Sequence, residues 1–495
     1  MVFILISILL PILSGAFLLI SKEKVFDLKR TCIYTGFVLV LWLVFVTVSV
    51  FTPAGPGEVL ALNEYLVLYF AADKTGKLFA VIMAIVWVLA GFYSFEYMKH
   101  EEETKRFFGF YLTVPGALMG LCFAGNLFTF YAFYEFMTLL SFALVLHNRT
   151  RQALMASLKY LFYSFAGAYM VLFGLYFTYR FSTDKTATFL YGGIIDRANA
   201  PEGILMISML LMILGFSVKG GMFPMHGWLP TAHPVAPSPA SAVLSGLIVK
   251  AGVLGIVRVI FYIFGSDFFA GSYVQTVCLI LSITTVFMGS MLAYREKVLK
   301  KRLAYSTVSQ VSYILFALFT VNETAFEGAM LHVAAHACIK SALFLCAGSI
   351  IFITGCTSVD ELRGIGKKMP VLMWCFTIVS LGLIGIPPLG GFTSKWFICV
   401  GALKSGTGVF SILGPAVLLV SALLTAGYLL PISINAFLPG DKFETDAITA
   451  GATGSAGSRY HAYQVAKEPG RMMLVPIIIL TILSVLAGMF PEVML

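Results

Sequence analysis

Apolar runs long enough to cross a bilayer recur along almost the whole chain, at roughly 2–20, 31–51, 78–98, 107–124, 126–146, 154–179, 203–222, 240–263, 273–293, 304–321, 326–353, 371–398, 409–436 and 471–490. A soluble chain of 495 residues would divide into several domains, each needing a polar skin. Here 59% of residues are hydrophobic and 12% are charged, where soluble domains carry about 25% charged residues. The bilayer removes the need for that skin, and helices satisfy their own backbone there. The expectation is an all-α integral membrane protein of about fourteen transmembrane helices.

The net charge of +9 reads as topology rather than as nucleic-acid binding. Loops after odd-numbered segments hold about 21 of the 33 Lys and Arg, and loops after even-numbered segments about 6. Lys22, Lys24, Lys29 and Arg30, then Arg295, Lys297, Lys300, Lys301 and Arg302, then Arg363, Lys367 and Lys368 belong to the first group. The positive-inside rule puts that side in the cytoplasm, with both termini outside. Met1–Ile20 lacks a basic leader and holds Pro11, so it reads as a first spanning helix rather than a cleaved signal. Pro439–Gly470, rich in Gly, Ala, Ser and Thr, reads as a flexible cytoplasmic loop. No soluble domain fits anywhere, so catalysis in a separate globular unit is not expected. Cys122, Cys278, Cys338, Cys346, Cys375 and Cys399 lie in apolar stretches and read as packing residues; no CxxC pair suggests a zinc or iron–sulfur site.

A charge at mid-bilayer costs at least about 2.5–3.5 kcal/mol, so each one needs a reason. Glu135 is the one acid placed well inside a helix, and it reads as a partner for a buried lysine. Lys219 stands directly before Gly220, Gly221 and Pro224, at a helix break of the kind that lines polar cavities. Its rival reading is a snorkelling lysine. Lys250 is flanked by Ser245, Gly246, Ala251 and Gly252, small residues that admit close neighbours. Arg258 and Lys159, nearer helix ends, read as anchors. His332, His336 and Lys340 are spaced four apart and share a helix face. Histidine titrates near neutrality and shuttles protons; a zinc site is the rival, but no acid or cysteine stands beside them in sequence. Lys395 follows Gly385, Pro387, Pro388, Gly390 and Gly391, a second broken helix.

The two breaks are five segments apart, an odd number, so their orientations in the membrane are opposite. That is the plan of inverted repeats. The expected division is 1–103 for three N-terminal helices, 104–268 and 269–437 for two five-helix repeats, and 438–495 for the cytoplasmic loop and last helix.

The stretch KGGMFPMHGWLPTAHPVAPSPASAVLSGLIVKAG, from Lys219 to Gly252, resembles the antiporter-like subunits shared by respiratory complex I, Mrp-type Na⁺/H⁺ antiporters and energy-converting membrane hydrogenases. HVAAHACIKSALFLCAG, GIPPLGGFTSKW and KRLAYSTVSQVSYI match as well, and the likeness runs through nearly the whole chain. TAHPVAPSPASA is most similar to the D-type Mrp and hydrogenase versions; no long lateral helix follows the last segment. The resemblance implies roles. Glu135 and Lys219 would be a switching ion pair, Lys250 a connector, His332, His336 and Lys340 the central group, and Lys395 the terminal residue. A charged Glu135 holds a proton on Lys219; when the carboxylate moves away, the proton is pushed toward Lys250.

The resemblance further implies a non-catalytic, ion-pumping subunit of a redox complex in a prokaryotic plasma membrane. It carries no cofactor of its own. Its partners are other membrane subunits, including paralogous antiporter-like and small helical ones, together with the lipid bilayer; nucleic acid is not among them. A secondary Na⁺/H⁺ antiporter subunit without redox chemistry is the alternative. A scaffold whose buried charges only fix assembly is a third reading, which explains so many charges poorly. The absence of an intramembrane Asp, Asn and Thr cluster favours H⁺ over Na⁺.

Overall fold

The computed structural model describes residues 1–22, 26–53, 55–440 and 462–493. Lys24 and most of the Pro439–Gly470 loop, residues 441–461, lie outside them. The chain is a bundle of helices: α1 Val2–Ile20, α2 Leu28–Phe51, α3 Lys74–Tyr97, α4 Thr104–Cys122, α5 Leu127–Val145, α6 Arg151–Phe181 and α7 Glu202–Gly220 in the first half. Short helices α8 Leu229–Val235, α9 Ser238–Val243, α10 Val249–Val257 and α11 Ser266–Phe269 follow. Then come α12 Tyr273–Arg295, α13 Leu299–Phe319, α14 Glu323–Thr354, α15 Pro370–Ile384, α16 Gly390–Lys404, α17 Phe410–Phe437 and α18 Arg471–Met489. Among the described residues, eleven helical spans are long and apolar enough to cross a membrane. An antiparallel hairpin, β1 Gly57–Ala61 with β2 Val67–Phe70, occupies the connection between α2 and α3. The hydrophobic periodicity does not announce it, because this stretch is short and mixed in character.

α9 and α10 belong to one continuous span, Ser238–Phe264, joined by a π-helical turn at Leu244–Ile248 and ended by another at Arg258–Phe264. This span is 94% buried inside the protein over its most apolar window, and α14 is 83% buried. By contrast α1, α2 and α6 are each 33% buried, and side chains such as Phe37, Phe162, Tyr169 and Leu423 face outward. A polypeptide in lipid can present apolar side chains on its perimeter, so burial here is set by position in the bundle and not by hydrophobicity. The two central elements carry Lys250, Arg258, His332, His336 and Lys340.

The two breaks foreseen from Gly and Pro are both present. α7 ends at Gly221 (φ 69°), and α15 ends at Gly385 (φ 100°), each in the left-handed conformation that closes a helix. Close approach between the central helices depends on missing side chains. A Cβ on Gly252 would lie 2.4 Å from the Phe216 carbonyl on α7, and one on Gly246 would lie 2.1 Å from Ser341 Oγ on α14. These glycines let the Lys250 helix touch both neighbours at once.

Arg258 is not the snorkelling anchor expected from its place near a helix end. It is 1% exposed, and its two terminal nitrogens donate to Asp73 at 2.5 and 2.8 Å. Its guanidinium lies over Phe189 and Tyr262, 5.0 and 4.6 Å from the ring centres. Asp73 also caps α3 by accepting from the Gly76 amide at 3.0 Å. Periodicity could not reveal this, since the partner lies 185 residues away. Removing one member of a buried, bidentate pair leaves the other charge uncompensated. Asp73→Ala is therefore expected to destabilise the fold by about 3–5 kcal/mol. Thermal unfolding in detergent, beside the double variant Asp73→Ala/Arg258→Leu, checks this: the double variant should be the more stable of the two.

Candidate functional site

Lys219 sits in the last turn of α7 and is fully buried. Its Nζ donates to Tyr160 Oη at 2.5 Å and to Ser164 Oγ at 3.0 Å, both on α6. Tyr160 Oη lies 2.7 Å from Ser141 Oγ on α5, and its ring lies 4.0 Å from the lysine ammonium. Trp228 covers the other side at 5.8 Å, its Nε1 held by the Val218 carbonyl at 2.7 Å. Glu135 does not close an ion pair with Lys219. It lies within the reach of the lysine's charge, yet its Oε1 is buried with no hydrogen-bond partner among the described residues. The structure thus holds the pair apart, with the ammonium seated on hydroxyls and aromatic faces.

Lys250 is 1% exposed. Its Nζ lies 2.6 Å from His336 Nδ1 and donates to the Ser245 carbonyl at 3.0 Å. That carbonyl belongs to the π-helical turn, where the ordinary i to i−4 pattern lapses; π-turns recur at functional sites for this reason. His332 and His336 stand with ring centres 5.7 Å apart on α14. His332 Nδ1 meets Ser394 Oγ at 2.8 Å, which carries the row from α14 to α16. The Nε2 atoms of both histidines have no hydrogen-bond partner among the described residues.

Lys395 Nζ donates to the carbonyls of Leu383 and Ile384 at 2.6 and 3.0 Å and lies 4.9 Å from the centre of the Tyr313 ring. These are the last carbonyls of α15, left free by the break and carrying the negative end of its dipole. The second broken helix therefore seats its lysine on backbone, where the first uses a tyrosine and a serine. Lys340 leaves the histidine line: its Nζ donates to the Leu303 carbonyl at 3.1 Å and to Ser306 Oγ.

Several of these partners carry no obvious mark in the sequence. α13 is the common wall: Leu303 and Ser306 hold Lys340, Thr307 bonds Ser245 at 2.7 Å, and Tyr313 stacks on His332 at 5.8 Å. The signal is there as Ser306, Thr307, Gln310 and Tyr313, polar residues at helical spacing in an otherwise apolar run. Gln310 is fully buried, with both amide atoms unpartnered among the described residues. Lys159 is half-buried on α6. Among the described residues no group of three or more His, Cys, Asp and Glu side chains is arranged to hold a metal ion. The row can hold, orient and pass protons, because lysine and histidine exchange them and the surrounding hydroxyls and carbonyls hydrogen-bond them.

Residues 124–425 match the family model described as NADH:quinone oxidoreductase/Mrp antiporter, TM. The chain belongs to this family. It is 32% identical over 416 residues to the N-type subunit of the NADH-quinone oxidoreductase of Desulforudis audaxviator, covering 83% of this chain and 80% of that protein. It is 29% identical over 495 residues to the D-type subunit of the Na(+)/H(+) antiporter of Alkalihalophilus pseudofirmus, covering 99% of this chain and 94% of that one. A chain of the Mrp complex from Dietzia sp. DQ12-45-1b shares the fold, with a TM-score of 0.83 at 20% identity over 99% of this chain and 94% of that chain. The protein is thus a multi-pass membrane protein of the antiporter-like subunit family.

Lys395→Met deprives two buried helix-end carbonyls of their donor, at about 1–3 kcal/mol for each group left unsatisfied. The purified protein in its membrane assembly should unfold at a clearly lower temperature. An unchanged midpoint would mean that the lysine does not cap the break.

Proposed function

We propose that the chain is the proton-translocating, antiporter-like subunit of a multisubunit membrane redox complex, of the energy-converting hydrogenase or complex I-like kind. Protons move along Glu135, Lys219, Lys250, His336 and His332 with Lys340, and Lys395. The observation that carries this reading is the 2.6 Å contact of Lys250 with His336. It joins the half that holds Lys219 to the half that holds Lys395, in the most enclosed part of the bundle. A lysine and a histidine in direct contact at that depth serve exchange better than packing. The separated Glu135 and Lys219 fit one position of a switch: when the carboxylate approaches, the ammonium is held, and when it withdraws, the proton is released toward Lys250.

The reading includes fourteen membrane passes, repeats at 104–268 and 269–437 in opposite orientation, and both termini on the outer face of a prokaryotic plasma membrane. The paired breaks at Gly221 and Gly385 support the repeats, and the charge asymmetry of the loops supports the orientation. An impermeant thiol reagent added to intact cells should label Lys404→Cys and spare Thr357→Cys. The opposite pattern would invert the topology.

Redox coupling follows the likeness to a quinone oxidoreductase subunit. A Mrp-type Na⁺/H⁺ antiporter subunit is the second reading, favoured by the likeness to a D-type antiporter subunit along 99% of the chain. Purification of the assembled complex separates them: companion subunits with cysteine clusters and electron-driven pumping mark the first, and sodium-driven proton exchange without electron transfer marks the second. In vesicles carrying the whole complex, Lys219→Ala and Glu135→Ala should each slow proton pumping by about 10²-fold, the usual worth of a positioned proton carrier. Pumping at the wild-type rate in an intact complex would make the pair structural.

A further inference from the structure

Lys340 has a hydrogen-bonded position of its own, away from Lys250, and the residues leading to it are unassigned. It bonds the Leu303 carbonyl, only three residues into α13 from Lys300. Three helical residues rise about 4.5 Å, so Lys340 lies close to the face that carries the basic loops. Lys300 reads from sequence as one of the exposed loop charges. It is instead 6% exposed, and its Nζ donates to the Ala236 carbonyl at 3.0 Å.

Ala236 closes α8, three residues after His233. His233 is fully buried, and neither ring nitrogen has a hydrogen-bond partner among the described residues. Buried polar atoms without partners are rare and call for an explanation. The imidazole stacks on Phe344, with ring centres 4.6 Å apart, one helical turn from Lys340 on α14. α13 and α14 run antiparallel, with Ser306 opposite Lys340 and Tyr313 opposite His332. In that register Phe344 stands level with residue 302, so His233 lies at a depth between Lys300 and Lys340. Both lysine charges act on it.

Glu101 lies beside Lys300 at the same face. It lines a surface cleft of about 340 Å³ together with Arg106 and His147. Burial pushes its carboxyl above the usual carboxylate range, against the pull of the nearby Lys300 charge. Glu101 follows the third apolar segment, Lys300 opens α13 just after the ninth, and Ala236 follows the seventh, all on the side of the odd-numbered loops. All three therefore lie at the same face.

We propose that Glu101, Lys300 and His233 form a second proton-uptake route, from the cleft on the basic-loop face directly to Lys340, separate from Glu135 and Lys219. A proton on the Glu101 carboxyl passes to a neutral Lys300 amine, leaving carboxylate and ammonium. The ammonium gives a proton to one ring nitrogen of His233 and returns to the amine. The imidazolium releases the proton from its other nitrogen to a neutral Lys340. The two free nitrogens of His233 suit it for accepting on one side and donating on the other. This route rests on the proposed role of the buried row in pumping, and it adds a point of supply that the row itself does not contain.

The test uses the assembled complex in vesicles and counts protons pumped per turnover. Lys300→Arg keeps the positive charge and a donor for the Ala236 carbonyl, but arginine does not release its proton. His233→Gln keeps polarity and removes titration. Each should lower the count about twofold, because one of two points of uptake is closed, while Lys219→Ala in the same vesicles removes the pair that drives the whole row and stops pumping from both. A wild-type count with Lys300→Arg, alongside a loss with Lys300→Ala, shows a structural cation and overturns the route. A wild-type count in both Lys300→Arg and His233→Gln overturns it too, and Lys300→Arg decides the question should His233→Gln fail to assemble. Normal pumping by Lys219→Ala would instead remove the reading on which the route rests.

Discussion

The contact between Lys250 and His336 is the point on which the rest of the structure turns. It forms where the two most enclosed elements of the bundle meet, and it exists only because Gly246 and Gly252 let three helices share one small space. A lysine in that position is closed off from bulk solvent by the protein around it. A histidine nitrogen and the Ser245 carbonyl are its hydrogen-bond partners. The π-helical turn that carries this carbonyl is therefore part of the site and not a flaw in the helix. The same logic recurs at Lys395, where a broken helix supplies two carbonyls, and at Lys340, where α13 supplies a carbonyl and a hydroxyl.

α13 organises these positions without carrying a charge in the row itself. Its Ser306 hydroxyl donates to the Leu303 carbonyl at 2.8 Å, which turns its lone pairs toward the Lys340 ammonium. Thr307 bonds the same carbonyl at 3.0 Å and meets Ser245 beside Lys250. Tyr313 is anchored by the Leu418 carbonyl at 2.8 Å and lies between His332 and Lys395. A neutral, hydrogen-bonding wall can seat charged side chains without pinning them, since its dipoles are fixed and its bonds are single.

Much of this is legible in the sequence. Spanning segments are a matter of length and composition, so the membrane class follows from the apolar runs alone. The two breaks are visible because Gly and Pro act locally. The central group is visible because His332, His336 and Lys340 share a face by simple periodicity. What escapes are pairings between distant segments. Arg258 looks like an anchor, and Lys300 like a loop charge, because no local pattern points to Asp73 or to Ala236. His233 draws no attention, since a histidine beside two prolines in a short loop reads as ordinary. Glu135 is expected against Lys219, and the structure shows them apart, because which side-chain conformation a long carboxylate takes is not written in the sequence.

The row's composition acquires meaning from its geometry. Along Lys219, Lys250, His336, Lys340, His332 and Lys395 every titratable group is a base, and the one acid, Glu135, stands at one end. A base costs little when neutral and much when charged in such surroundings, and among the described residues no fixed negative charge lies along the line to offset a second cation. Two unit charges about 10 Å apart repel by roughly 1.7 kcal/mol at an effective dielectric of about 20, more than a tenfold bias against double occupancy. The row is thus poorly suited to holding two added charges at once, whichever of its groups carries the first. Glu135, beside Lys219, is the one carboxylate in the row, and it stands at an end rather than along its length.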